Sequence, residues 1–207
     1  MEAMAILFGT EARVKLMRLF LMNPQEVISD ADAARRARVS PRATRAELVV
    51  LAKAKLITRT QVTEATPPRS KNGKPGKKRV SAARLNLASP HREPLRVLLA
   101  HTGSVEGNEF LRRFRAAGKL KLLIRAGFFI GEDGSRADVL LVGDRLNKSA
   151  IERAIRVLES EIGKELSYAS FETGDFLYRI GVCDKFVRDI LDYPHETVFD
   201  RLGGEAQ

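Results

Sequence analysis

Arginines and lysines carry most of the chemistry this sequence offers, and they gather in two short stretches. The first is Ser40-Pro41-Arg42-Ala43-Thr44-Arg45. Arg42 and Arg45 are three residues apart, so on a helix they share one side of its first turns. A guanidinium placed there can pair with a guanine edge through two hydrogen bonds, or hold a phosphate. Ser40, at the start of that helix, would lie near the backbone of a bound duplex. The second stretch runs from Pro67 to Arg79, where Arg69, Lys71, Lys74, Lys77, Lys78 and Arg79 stand among prolines and glycines. Such a run cannot build a core. Its cations suit phosphates, and contacts of that kind raise affinity without reading sequence.

Two short helices must position Arg42 and Arg45. Ser29 followed by Asp32 has the spacing of a capping box, which predicts a helix starting after Ser29 and ending near Arg38. Ala33, Ala34 and Ala37 keep that helix slim. Ser40 is a natural N-cap and Pro41 fits the first helical position. Thr44, Leu48, Leu51 and Ala52 then recur at helical spacing and predict a core-facing stripe, with Arg42 and Arg45 outside it. This is the helix-turn-helix layout, in which the second helix enters the major groove. A helical hairpin with a solvated basic face has the same spacing. Val49 and Val50 fall on the outer side and predict a contact surface.

On either side the pattern extends. Ile6 to Met22 reads as a first helix, with Thr10 as candidate cap and Asn23-Pro24 as its stop. Leu56 to Val62 is rich in β-branched residues and predicts a strand. Val80, Ala82, Leu85 and Leu87 predict its return, with the basic run as the hairpin tip between them.

The formal net charge of the 207-residue chain is +10. Met1 to Pro90 holds 18 lysines and arginines against 7 acids, and His91 to Gln207 holds 18 against 19. All the excess lies with the helix-turn-helix, as a nucleic-acid module joined to a neutral domain requires. The single cysteine, Cys183, excludes an internal disulfide and fits a reducing compartment. It sits in an apolar helical run and reads as a small core residue. His91, His101 and His195 are scattered, and no metal site is expected. No apolar stretch has the length of a membrane span, and no signal peptide is visible; a cytoplasmic location is expected.

Leu7 through Leu87, with "GTEARVKLMRLF" opening its first helix and a leucine leading the first wing strand, resembles the winged-helix domain of ArsR-type bacterial regulators. The resemblance implies double-stranded DNA as partner. The metal-sensing cysteines of some such regulators are absent here, so metal sensing is not implied. Lys55 stands where a glycine usually closes the recognition helix. Because such sites are commonly paired half-sites, a homodimer is expected.

Ser89-Pro90 is the predicted boundary, giving a winged helix-turn-helix over 1–88 and a second domain over 89–207. In the latter, helices are predicted over Glu93–His101, Glu106–Ala117 and Asn147–Ile162, the last with the stripe Ile151, Ile155, Leu158 and Ile162. Strands are predicted over Leu120–Ile130, Val139–Val142 and Leu166–Phe171. Two more helices follow, Thr173–Val182 and Asp184–Leu191, with Phe176, Leu177, Ile180, Phe186, Val187 and Ile190 expected inside. Val198-Phe199 reads as an edge strand. The whole chain is therefore expected to be α+β, its second domain a small mixed α/β sheet backed by helices.

Arg125 to Asp144 (RAGFFIGEDGSRADVLLVGD) resembles the minimal bacterial nucleotidyltransferase fold. Active members have Gly-Ser at a helix start for the triphosphate and Asp-x-Asp for magnesium. Here Phe128 follows Gly127, and Arg136-Ala137-Asp138 replaces the paired carboxylates. Gly134-Ser135 stands too close to Asp138 for a helix between them. Asp138 alone cannot hold two metal ions, so an inactive domain with no cofactor is expected. Arg136 and Asp138 are the candidate ligand-binding pair, with Arg136 toward a nucleotide phosphate. The other reading of the domain is a dimerisation scaffold without ligand. A sequence-specific transcriptional regulator is the expectation; a divergent magnesium-dependent nucleotidyltransferase and an antitoxin-like interaction module are the alternatives.

Overall fold

Short polar residues set where the N-terminal helices begin. The computed structural model describes residues 2–66, 76–101, 107–132 and 134–202. Its first helices are α1 (Glu2–Phe8) and α2 (Glu11–Met22). Thr10 caps α2, as expected, but the residues from Ile6 ahead of it belong to a separate helix: Gly9 takes a left-handed φ of 92° and Thr10 is extended, which ends one ladder and starts another. The Thr10 hydroxyl accepts the Arg13 N–H at 3.0 Å. Arg13 Nη1 donates to the Phe8 carbonyl at 2.8 Å, so the end of α1 is satisfied too.

A three-residue strand that no periodicity announced, β1 (Val27–Ser29), leads into α3 (Asp30–Ala37). Ser29 caps α3 by accepting the Asp32 N–H at 3.3 Å. Arg38, at φ 52°, closes it. α4 (Pro41–Lys53) is capped by Ser40, which accepts the Ala43 N–H at 3.3 Å. Lys55 takes the left-handed conformation, φ 56°, that glycine usually supplies after such a helix. Asn86 Nδ2 donates to the Lys55 carbonyl at 2.8 Å and holds the corner.

Strands β2 (Ile57–Thr66) and β3 (Gly76–Leu85) pair antiparallel from Ile57↔Leu85 to Thr66↔Gly76, and β1 lies on the other side of β3. Helix α5 (Arg92–His101) completes this part. Its core is centred on α2, where Val14, Leu16, Met17, Leu19, Phe20 and Leu21 are all buried. Leu48 and Leu51 of α4, Leu56, Ile57, Ala83 and Leu85 pack on them.

The first compact unit extends past the predicted boundary at Ser89-Pro90, through α5, and also takes in Val157–Lys164. The reason is packing: Leu99 of α5 is 1 % exposed within this same core, with Leu95 against it. A buried arginine contributes as well. Arg18 of α2 donates Nε to the Leu99 carbonyl at 3.2 Å and Nη1 to the Glu161 carbonyl at 2.8 Å. Late helix carbonyls lack intrahelical partners, and a cation suits them. Burial lowers the pKa of this guanidinium, and Glu161 opposes the shift. Gly163 passes so close to α2 that a Cβ there would lie 2.5 Å from the Arg18 carbonyl carbon. Asn23 Nδ2 ties the Leu19 and Gly163 carbonyls together at 2.6 and 2.7 Å.

The second unit contains α6 (Gly107–Arg113), β4 (Lys119–Arg125), β5 (Val139–Asp144), the start of α7 (Lys148–Ile162), β6 (Tyr168–Glu172), α8 (Thr173–Gly181), α9 (Lys185–Leu191) and β7 (Glu196–Asp200). The strand order is β6-β5-β4-β7, with β5 and β6 parallel and the other pairs antiparallel. Alternation places Leu122, Ile124, Leu140 and Val142 with Phe176 of α8 and Val187 and Ile190 of α9 in one core.

The chain is thus α+β. Val198 and Phe199 do lie in an edge strand, β7. The strand expected over Leu120–Ile130 stops at Arg125, and Gly127–Ile130 forms a 3₁₀ turn. Leu177, Ile180 and Phe186, expected inside, are 38, 43 and 37 % exposed, because α8 and α9 each turn only one side to the sheet. Cys183 is also exposed, at φ 55° in the corner between α8 and α9, and is no core residue. Among the described residues, no helix is long and apolar enough to cross a membrane.

Candidate nucleic-acid interface

The amphipathic pattern of α4 turns its first cations outward. Thr44, Glu47, Leu48 and Leu51 are buried, while Arg42 and Arg45 are exposed. Among the described residues neither arginine has an ion-pair partner. Ser40 is exposed, but its hydroxyl is engaged in capping α4. Val49 and Val50, on the outer side of α4, are 53 and 38 % exposed, as the spacing predicts.

Glu47 fixes how α4 sits on α2. Its Oε1 accepts the Thr10 hydroxyl at 2.8 Å, and its Oε2 lies 2.7 Å from Arg13 Nε. The same Thr10 and Arg13 end α1 and begin α2, so one carboxylate joins three elements. The sequence did carry a signal: Glu47 falls within the inward stripe, and a buried acid requires a partner.

The described part of the hairpin brings cations to α4. Lys77, Lys78 and Arg79 are exposed on β3 and have no ion-pair partners among the described residues. A groove of about 580 Å³ is lined by Pro41 and Arg45 of α4, Asp30 and Ala31 of α3, and Lys78 and Arg79 of β3. Arg45, Lys78 and Arg79 therefore converge on one concave surface. Arg42, Ser40 and Lys77 lie outside its lining. Arg69, Lys71 and Lys74 lie outside the described residues.

One charged pair at the groove, joining Asp30 of its lining to Arg59 outside it, was not foreseen. Arg59 of β2 donates Nη1 and Nη2 to the two carboxylate oxygens of Asp30, both at 2.8 Å. The partners are 29 residues apart, and no local spacing links them.

The candidate ligand pair of the second unit is engaged internally. Asp138 accepts the Phe128 N–H at 2.7 Å through one oxygen and the Ser167 N–H at 2.8 Å through the other. Its carboxylate thus braces the turn after β4 to the segment before β6. Arg136 Nε lies 3.0 Å from Asp189 of α9. Each of the two side chains therefore has a partner within the second unit. Among the described residues, no group of three histidines, cysteines or acids could hold a metal ion.

With family models, curated proteins and solved structures alike, the chain finds no match. The functional reading therefore rests on the groove and the charge around it.

Proposed function

We propose that the first unit is a winged-helix domain that binds double-stranded DNA, and that the chain is a sequence-specific transcriptional regulator acting in the cytoplasm as a homodimer. The observation that carries this reading is the convergence of Arg45, Lys78 and Arg79 on one groove between the start of α4 and the tip-side half of the described β2–β3 ladder. In this reading α4 enters the major groove, Arg42 and Arg45 meet base edges or phosphates, and the hairpin cations follow the backbone. The surplus of basic residues before Pro90 supplies the long-range attraction. The order helix, strand, helix, helix, hairpin, read with the residues quoted for the ArsR resemblance, favours this architecture over a plain helical hairpin.

In the same reading the second unit is a nucleotidyltransferase-like scaffold without catalysis. Asp138, the one acid left at the metal-binding position, is used as a backbone brace, and Arg136 replaces its partner. A dimerisation role needs nothing further from these residues.

The test is fluorescence anisotropy on a duplex from upstream of the protein's own gene, beside a scrambled duplex. The wild type is expected to prefer the upstream DNA. Replacing Arg42 and Arg45 by alanine should remove that preference, at about 1–3 kcal/mol for each base-reading arginine, with a smaller loss on the scrambled duplex, where Arg45 meets phosphate alone. Equal losses on both duplexes would refute base reading by these arginines. No binding at low salt would refute the DNA function itself.

A further inference from the structure

Among the described residues, Asp30 is the one acid lining the groove that receives Arg45, Lys78 and Arg79. A carboxylate is the wrong charge for a surface that meets phosphates. Arg59, which has the right charge, is committed to both of its oxygens. The pair is open to solvent, with Asp30 20 % and Arg59 35 % exposed at the side chain. Its bidentate geometry can brace β2 to the start of α3. It also has an electrostatic consequence for the groove. It places a negative charge beside three cations that have no ion-pair partner among the described residues, and it holds Arg59 at the groove's edge.

We propose that the Asp30–Arg59 pair limits the groove's affinity for the DNA backbone, making Asp30 an affinity-setting residue of the interface. The proposal rests on the DNA-binding reading above and adds a role that reading does not require. With Arg59 clamped, the described lining of the groove offers three cations to phosphates. With Asp30 neutralised, Arg59, which lies beside the groove and not in its lining, is released to meet a neighbouring phosphate, and the local repulsion disappears. Because phosphates are the same in every sequence, the effect should fall equally on specific and random duplexes.

The experiment compares wild type, Asp30→Asn and Arg59→Gln on an upstream and a scrambled duplex, titrated with potassium chloride. One added phosphate contact steepens the slope of log K against log salt by about 0.9, which at about 0.1 M salt corresponds to roughly five- to tenfold tighter binding. That gain is expected for Asp30→Asn on both duplexes. Arg59→Gln should do the opposite and bind at least about twofold more weakly, since it leaves the Asp30 carboxylate facing the phosphates unpaired. A pair that merely braces the fold would shift both variants toward weaker binding, so the opposite signs are diagnostic. Asp30→Ser removes the same charge on a smaller side chain and repeats the test if Asp30→Asn folds poorly.

Loss of affinity in both Asp30 variants, or a gain confined to one duplex, would overturn the proposal. If wild type binds with a clear salt slope and the Asp30 variants bind no tighter, only this proposal falls. If none of the proteins binds, the DNA reading falls and takes the proposal with it.

Discussion

Neutralising the groove should change how DNA binding responds to salt, by an amount that the count of cations sets. Arg45, Lys78 and Arg79 come from α4 and β3 and share the groove lining. Each phosphate neutralised by a cation contributes about 0.9 to the slope of log K against log salt. Replacing all three by glutamine should therefore flatten the slope by about 2.7. Between roughly 50 and 200 mM salt, the wild type would lose about 40-fold more affinity than the variant. The three side chains have no ion-pair partners among the described residues, so stability should stay within about 0.5 kcal/mol. Anisotropy on a scrambled duplex at four salt concentrations measures the slope, and thermal melting checks the fold. Lys53→Gln is the control: Lys53 ends α4, about 12 Å along the helix axis from Arg45, and does not line the groove. A groove variant with the wild-type slope, or a control that costs as much per charge, would refute the assignment.

Two further outcomes follow from contacts away from the cations. Glu47→Ala strips Thr10 and Arg13 of their shared acceptor and should destabilise the first unit by about 1.5–3 kcal/mol, the range for hydrogen bonds to a charged group; Glu47→Gln, which keeps an acceptor for Thr10, should cost less. Urea denaturation separates the two, and an alanine variant as stable as wild type would mean that Glu47 does not anchor α4. In the second unit, the Thr173 hydroxyl donates to Asp144 at 2.5 Å and Lys121 stands 3.4 Å away, which together hold the Asp144 carboxyl below its ordinary value. A depressed carboxyl pKa stabilises the fold above the unfolded-state pKa, and that stabilisation is lost as pH falls through the folded-state value. Thr173→Val should move the Asp144 titration, followed by NMR, back toward the ordinary carboxylate range; an unmoved titration would place the cause elsewhere.

Local chemistry made much of the first unit legible from sequence alone. Ser29, Ser40 and Pro41 announce where α3 and α4 begin, because caps satisfy backbone donors within three or four residues of themselves. The periodicity of Thr44, Leu48 and Leu51 assigns the inner side of α4 and so exposes Arg42 and Arg45. The same locality announced the Thr10 cap but failed ahead of it, where nothing set α1 apart as its own helix. It failed again at α8 and α9, where apolar residues outnumber the positions the sheet can cover, leaving Leu177, Ile180 and Phe186 exposed.

Only the tertiary structure decided which charges meet. Arg45 and the β3 cations share a groove because the hairpin returns past α4, and Arg59 finds Asp30 across 29 residues. Leu99 joins the first core although it lies beyond the predicted boundary, since packing follows neighbours in space. Asp138, which in sequence resembles a remnant of a metal site, is spent on two backbone N–H groups that only the fold brings to it. Caps and periodicity act over a few residues and can be read along the chain. Ion pairs and grooves depend on positions far apart in sequence, and folding alone brings those together.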